Sequence, residues 1–61
     1  MPYIEASFFA ERFQDDEFSA RMVEAITEAV TSVIGEAGAD STVILHSVPR
    51  SRWGHGGKLM G

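Results

Sequence analysis

The 61-residue chain contains no cysteine, which excludes disulfides and cysteine-based zinc sites. Its only histidines, His46 and His55, have a spacing that is not usual for zinc ligands. No apolar run approaches the ~20 residues needed to span a bilayer. The first residues also lack the basic and apolar stretches of a signal peptide. The sequence therefore predicts a cytoplasmic protein without a metal centre.

The chain also has little material for a hydrophobic core. Its 61 residues allow one domain, residues 1–61. A chain of this size buries only about 60% of the surface that its unfolded form exposes. Small domains usually compensate with disulfides, a metal or oligomerisation. Since cysteines and a metal-ligand pattern are lacking, we expect an oligomer.

The composition is that of a folded protein with an uneven charge distribution. Hydrophobic residues make up 44% of the chain, and its net charge of −4 argues against non-specific nucleic-acid binding. Residues 1–40 carry all nine acids and two arginines, whereas residues 41–61 carry three cations and no acid. This asymmetry has two interpretations. The ends simply differ, or a basic tail faces an anionic ligand or an acidic neighbour.

Hydrophobic patterning predicts a strand, a helix and a second strand. Alternating aromatic and β-branched residues indicate a strand over Tyr3–Phe9. Apolar residues at helical spacing predict a helix over Asp16–Ile34, which Gly35 ends. The apolar run Thr42–His46 is typical of a strand buried on both faces. The predicted helix stripe consists of Phe18, Met22, Ile26, Ala29, Val30 and Val33.

These elements predict an α+β fold built on one βαβ unit. Its crossover is right-handed, and its two strands are parallel. The helix covers one face of the sheet, and we expect the other face to be apolar. Because a two-stranded sheet with a bare face is unstable alone, that face should meet another copy. The Gly-rich tail after Val48 is expected to form turns.

Pro2 has an ordinary and a chemical interpretation. Ordinarily it is a residue of fixed φ before a strand. If Met1 is removed, however, the chain begins with a rigidly placed secondary amine. Burial lowers the pKa of such an amine, because desolvation disfavours its charged form, and the neutral amine can then act as a general base.

Three arginines and one tryptophan are further candidates. Arg12 follows the first strand, where it is either solvated or grips a carboxylate. Arg50 and Arg52 either bind an anion, stack on an aromatic ring, or pair with the acid-rich helix of a neighbour. Trp53 is an interface anchor or a residue that keeps water from a small polar site. His46 is most simply a core or interface residue.

The two ends of the chain carry a resemblance to a known family. Besides the strand–helix–strand order, it rests on Pro2, Arg12 and the tail Val48-Pro49-Arg50-x-x-Trp53-Gly54-x-Gly56-Gly57. End to end, the chain resembles the 4-oxalocrotonate tautomerase family. The resemblance implies a βαβ fold with a C-terminal β-hairpin, and a hexamer built as three dimers.

The same resemblance implies an activity. Pro2, exposed by removal of Met1, is the general base in keto–enol proton transfer on a small 2-hydroxymuconate-like acid. Arg12 binds a substrate carboxylate, and Trp53 keeps the pocket apolar. No metal or cofactor is implied, and the metabolic setting is the degradation of aromatic compounds. Family members carry a second arginine where this chain has Thr42, so Arg50 or Arg52 is expected to replace it.

Two alternatives remain open at this point. Relatives with an N-terminal proline also hydrate or dehalogenate small acrylates, which requires further groups to activate water. Alternatively, the chain is a non-catalytic or partner-dependent subunit of a mixed hexamer, in which a partner supplies the arginine absent at Thr42.

Overall fold

A computed structural model describes residues 1–61 as a βαβ unit followed by a small hairpin. Strand β1 (Tyr3–Phe9) and strand β2 (Thr42–Val48) are parallel, with Tyr3 opposite Thr42 and Phe9 opposite Val48. Helix α1 (Phe18–Ile34) connects them. The predicted α+β fold is confirmed, and β2 extends two residues beyond the predicted strand.

Strand alternation places one face of the sheet against the helix. In β1 the half-buried residues Ile4, Ala6 and Phe8 alternate with exposed ones. The Phe8 ring meets the Phe18 ring of α1 edge-on, with centroids 5.2 Å apart. Phe13 meets the same ring at 5.2 Å. This aromatic cluster fixes the start of the helix over the carboxyl end of β1.

The helix starts two residues later than predicted. The Asp15 carboxylate accepts the backbone N–H of Glu17 at 3.0 Å, and the Asp15 carbonyl accepts that of Phe18 at 3.1 Å. The acids therefore precede the first turn, where they still face the positive end of the helix dipole. The predicted stripe fails at Ala29, which is exposed, and at Val33, which is 83% exposed, while Thr27 and Thr31 are half-buried.

A tight turn leads from the helix to β2. Gly35 leaves the helix at φ 81°, and its N–H caps the carbonyl of Thr31. A short 3-10 segment, Gly35–Asp40, then folds back against α1. Within it Gly38 is buried, because its Cα lies directly against the backbone of Thr31.

The face of the sheet away from the helix is mixed rather than wholly apolar. Tyr3 is 58% exposed and Ile44 is 38% exposed on this face. On the same face, His46 Nε2 lies 2.6 Å from Glu5 Oε1. The expected apolar face thus carries a polar pair, and β2 is not buried on both faces in the single chain, because only the helix covers its sheet. His46 is about half exposed.

The tail forms a two-stranded hairpin. After a 3-10 turn over Arg50–Arg52, strand β3 (Gly54–His55) pairs antiparallel with strand β4 (Lys58–Leu59). Gly56 and Gly57 connect them, with φ of 60° and 86°. Positive φ at both residues is what a two-residue type I′ turn requires.

A single chain buries very little of its apolar surface. Gly38 is its one fully buried residue, and no hydrophobic side chain is fully buried. Its accessible surface is 4612 Å², against about 3,900 Å² for a compact monomer of this mass. Its radius of gyration is 13.9 Å, against about 10.5 Å for a compact domain of this length. None of its helices has the length and apolarity needed to cross a membrane.

Candidate active site

Pro2 lies at the amino edge of the sheet, the end at which both β1 and β2 begin. Its carbonyl oxygen accepts the backbone N–H of Thr42 at 2.9 Å, which ties residue 2 to the start of β2. Pro2 is half-buried, whereas Met1 is 83% exposed. The Thr42 hydroxyl donates to Met1 Sδ at 3.4 Å. The nitrogen of Pro2 is an amide here, so its basicity requires the removal of an accessible Met1.

An aromatic and cationic cluster lies at the opposite, carboxyl edge of the sheet, where both strands end. The rings of Phe9 and Trp53 have centroids 4.5 Å apart and are tilted by 50°. The guanidinium carbon of Arg50 lies 4.0 Å from the centroid of the Phe9 ring. The last residue of β1 therefore packs between two residues of the tail, which places Trp53 at this edge.

Arg50 is held by its own chain. Its Nε–H donates to both carboxylate oxygens of Glu11, at 3.0 and 3.1 Å. Arg50 and Glu11 are both about half exposed. Of the alternatives for Arg50, the structure shows the stack on an aromatic ring. It adds an ion pair within the chain, to the turn after β1, which is near because β1 and β2 end side by side. Nothing in the local sequence signals this contact, because 39 positions separate the two residues.

Arg52 has a different environment from Arg50. Its guanidinium makes no ion pair within the chain, and its side chain is exposed. It lines an open groove together with Ser7, Val48, Trp53 and Gly54. The groove thus combines one free cation, one hydroxyl and an aromatic wall, which is suited to a small organic anion.

Ser7 is a groove residue that the sequence reasoning missed. The sequence feature that could have identified it is the alternation in β1. Its period of two places Ser7 on the same face as Glu5 and Tyr3, away from the helix. Arg12 lies in the 3-10 turn Ala10–Gln14 that leaves the same edge, and it is exposed without an ion pair.

The predicted site residues therefore form two groups in one chain. Pro2 is at the amino edge, and the arginines and Trp53 are at the carboxyl edge. Phe9 is seven residue steps along the chain from Pro2, a span of about 23 Å in extended strand. Parallel strands both begin at one edge and end at the other, so no single chain brings its own Pro2 to its own Arg52.

No three histidine, aspartate or glutamate side chains lie close enough together to hold a metal ion. His55 is exposed in the hairpin, and His46 is paired with Glu5 on the open face of the sheet. Neither histidine lies in the groove beside Arg52.

Comparison with known proteins identifies one family. A family model described as tautomerase enzyme matches residues 2–61, which is nearly the whole chain. Searches of curated proteins and of solved structures return no match to this chain.

Proposed function

The chain belongs to the tautomerase enzyme family, and from this membership we propose a cofactor-independent tautomerase with Pro2 as its general base. The substrate class is a small unsaturated 2-hydroxy or 2-keto acid resembling 2-hydroxymuconate. Removal of Met1 supplies the amine. The 83% exposure of Met1 supports this step, since a processing enzyme can reach the residue.

The chemistry needs only one group that accepts and returns a proton. The neutral prolyl nitrogen takes the enol proton of the substrate, and the electrons of the O–H bond spread into the conjugated system. The resulting prolinium then protonates a carbon of that system, which leaves the conjugated keto acid. A rigid secondary amine suits both steps, because the ring fixes the direction of its lone pair.

The separation of Pro2 from the cations is the observation that carries the rest of the proposal. The amino edge of the chain holds Pro2 but no cation. The five cations are in the turns after β1 and β2, in the hairpin and in the first turn of α1: Arg12, Arg50, Arg52, Lys58 and Arg21. An anionic substrate at Pro2 therefore needs positive charge from a neighbouring subunit.

We accordingly propose a homohexamer arranged as three dimers, in which the carboxyl edge of one subunit meets the amino edge of another. The absence of any fully buried hydrophobic side chain in the single chain supports this assembly. Exposed apolar residues at both edges and along the open face support it further: Met1, Tyr3, Ile44, Leu59 and Met60. Burying them supplies the hydrophobic free energy that one chain lacks.

Within that assembly the residues of the carboxyl edge have distinct roles. Arg12 and Arg52 bind the substrate carboxylate, because both guanidinium groups are free of ion pairs. Trp53 lines the pocket with an apolar ring and so lowers its polarity. Arg50 acts mainly by holding the tail, since Glu11 and Phe9 already occupy its guanidinium.

The decisive experiment compares the wild-type protein with Pro2→Ala. Ketonisation of 2-hydroxymuconate and of phenylenolpyruvate is followed by ultraviolet absorbance, and intact mass establishes whether Met1 is absent. We expect activity in the wild type, a loss of at least a hundredfold in Pro2→Ala, and a mass that lacks methionine. Equal rates in the two proteins, or an active protein that keeps Met1, would refute Pro2 as the base.

Assembly is tested on the same samples by native mass spectrometry. We expect six identical chains in both proteins, because the Pro2→Ala substitution removes only two ring carbons from each chain and leaves the larger exposed apolar side chains in place. A stable monomer near 7 kDa would contradict the homohexamer. A wild-type hexamer without activity would favour a partner-dependent subunit.

A further inference from the structure

Thr42 is the residue of β2 that lies beside Pro2. Its backbone N–H donates to the Pro2 carbonyl oxygen at 2.9 Å. Its half-buried side chain donates a hydroxyl to Met1 Sδ at 3.4 Å. The hydroxyl thus faces the residue whose removal exposes the prolyl nitrogen. One backbone contact and one side-chain contact fix Thr42 against this end of the chain.

The surroundings of Thr42 contain no cationic hydrogen-bond donor. Residues 1–5 and 35–45 form the amino edge and its approach, and their charged side chains are all acids: Glu5, Glu36 and Asp40. Ser41, the neighbouring hydroxyl, is already used, because it donates to the carbonyl of Gly38 at 2.6 Å. Tyr3, opposite Thr42 in the strand pairing, carries the other hydroxyl of this edge, at the end of a ring that is 58% exposed. The Thr42 hydroxyl is the donor that a contact holds against residue 1, next to Pro2.

We propose that the Thr42 hydroxyl donates a hydrogen bond to the 2-oxygen of the substrate, the oxygen that loses its proton to Pro2. This inference rests on the proposed tautomerase function and assigns to that site a neutral donor. As the enol proton leaves, negative charge develops on the 2-oxygen. A fixed donor aimed at that charge binds the transition state better than the ground state. The hydroxyl keeps its own proton throughout.

The neutral donor also bears on the substrate class. The segment that leads into β2 carries the acids Glu36 and Asp40 and no cation, so the same subunit offers nothing at the amino edge to pair with a second carboxylate. A substrate with an uncharged group at that end needs no such partner. We therefore expect this chain to favour a monoacid such as phenylenolpyruvate over the diacid 2-hydroxymuconate.

The test compares Thr42→Val with Thr42→Ser in the processed protein. Valine keeps the shape and the strand preference of threonine but removes the donor, whereas serine keeps the donor. We expect Thr42→Val to lower kcat about tenfold, as expected for one neutral hydrogen bond, with KM within about threefold. Thr42→Ser should recover most of kcat. Both variants should remain hexameric by native mass spectrometry.

The outcomes separate this inference from the proposed function. Wild-type activity that Pro2→Ala abolishes, together with an unchanged kcat in Thr42→Val, would overturn the role of Thr42 and leave the tautomerase standing. Wild-type protein that ketonises neither substrate would overturn both. If Thr42→Val fails to assemble, Thr42→Ala and Thr42→Ser provide the same comparison. A wild-type preference for the diacid would contradict the monoacid assignment.

Discussion

Arg50 donates its Nε–H to both carboxylate oxygens of Glu11, at 3.0 and 3.1 Å, while its guanidinium lies over the ring of Phe9. This contact joins the turn after β1 to the turn after β2. Arg52, two positions further along, has no such partner in the chain. Two arginines that look equivalent in the sequence thus have different environments, which leads to a direct comparison.

Arg50→Ala and Arg52→Ala should affect different properties of the protein. Arg50→Ala removes a half-exposed ion pair and a cation–π contact, so we expect a loss of about 1 kcal/mol in the free energy of unfolding. Arg52→Ala should instead raise KM about tenfold with little change in stability, since it removes a free carboxylate-binding cation. Denaturant unfolding at matched protein concentration and steady-state kinetics measure both effects. An unchanged KM in Arg52→Ala would exclude that residue from the substrate site.

Gly38→Ala should destabilise the chain by about 1–3 kcal/mol, as overpacking typically does. A Cβ at residue 38 would lie 2.6 Å from the Cα of Thr31 and 2.7 Å from its nitrogen. Backbone atoms cannot yield as a flexible side chain can. The matched control is Gly54→Ala, where the nearest atom is 3.8 Å away. Denaturant unfolding should show no loss in the control, and equal losses would contradict the steric explanation.

Gly57→Ala should cost about 1–2 kcal/mol through the backbone alone. Residue 57 has φ of 86°, and no atom lies within 4 Å of a Cβ placed there. Gly57→Asn should lose less, because asparagine tolerates positive φ better than alanine does. Unfolding of both variants measures the difference. A larger loss in the asparagine variant would show that the turn conformation does not determine the cost.

Ile44→Lys should break the assembly. Ile44 lies on the sheet face away from the helix, where it is 38% exposed in the single chain. If another subunit covers that face, a lysine there would bury an unpaired charge. We expect dissociation and unfolding together, followed by sizing and circular dichroism. Ser32→Lys, which adds the same charge on the exposed surface of α1, should remain hexameric. A hexameric Ile44→Lys would exclude this face from the interfaces.

Local patterns predicted most of the fold. The alternation in residues 3–9 and the helical spacing after Asp15 were sufficient to place β1 and α1, because backbone geometry alone sets those periods. The helix stripe was wrong at Ala29 and Val33, and the second strand was predicted too short. Val33 and the last residues of β2 are at element ends, where tertiary contacts rather than periodicity determine burial. Ala29 lies inside the helix, on a part of its surface that the two-stranded sheet does not cover.

Sequence reasoning could name candidate site residues but not their arrangement. Pro2, Arg12 and Trp53 could be named from the motifs, and Arg50 and Arg52 from their neighbourhood. The motifs did not indicate that Glu11 holds Arg50 or that Ser7 lines the groove beside Arg52. Those contacts join segments that are distant in the chain, and local sequence does not encode such pairings.

By itself, the sequence determined the order of the elements, the glycine turn of the hairpin and the shortage of core that one chain must have. The tertiary structure alone decided that Pro2 and the arginines lie at opposite edges of the sheet. The physical reason is the parallel pairing of β1 and β2, which places both strand starts together and both strand ends about 20 Å away.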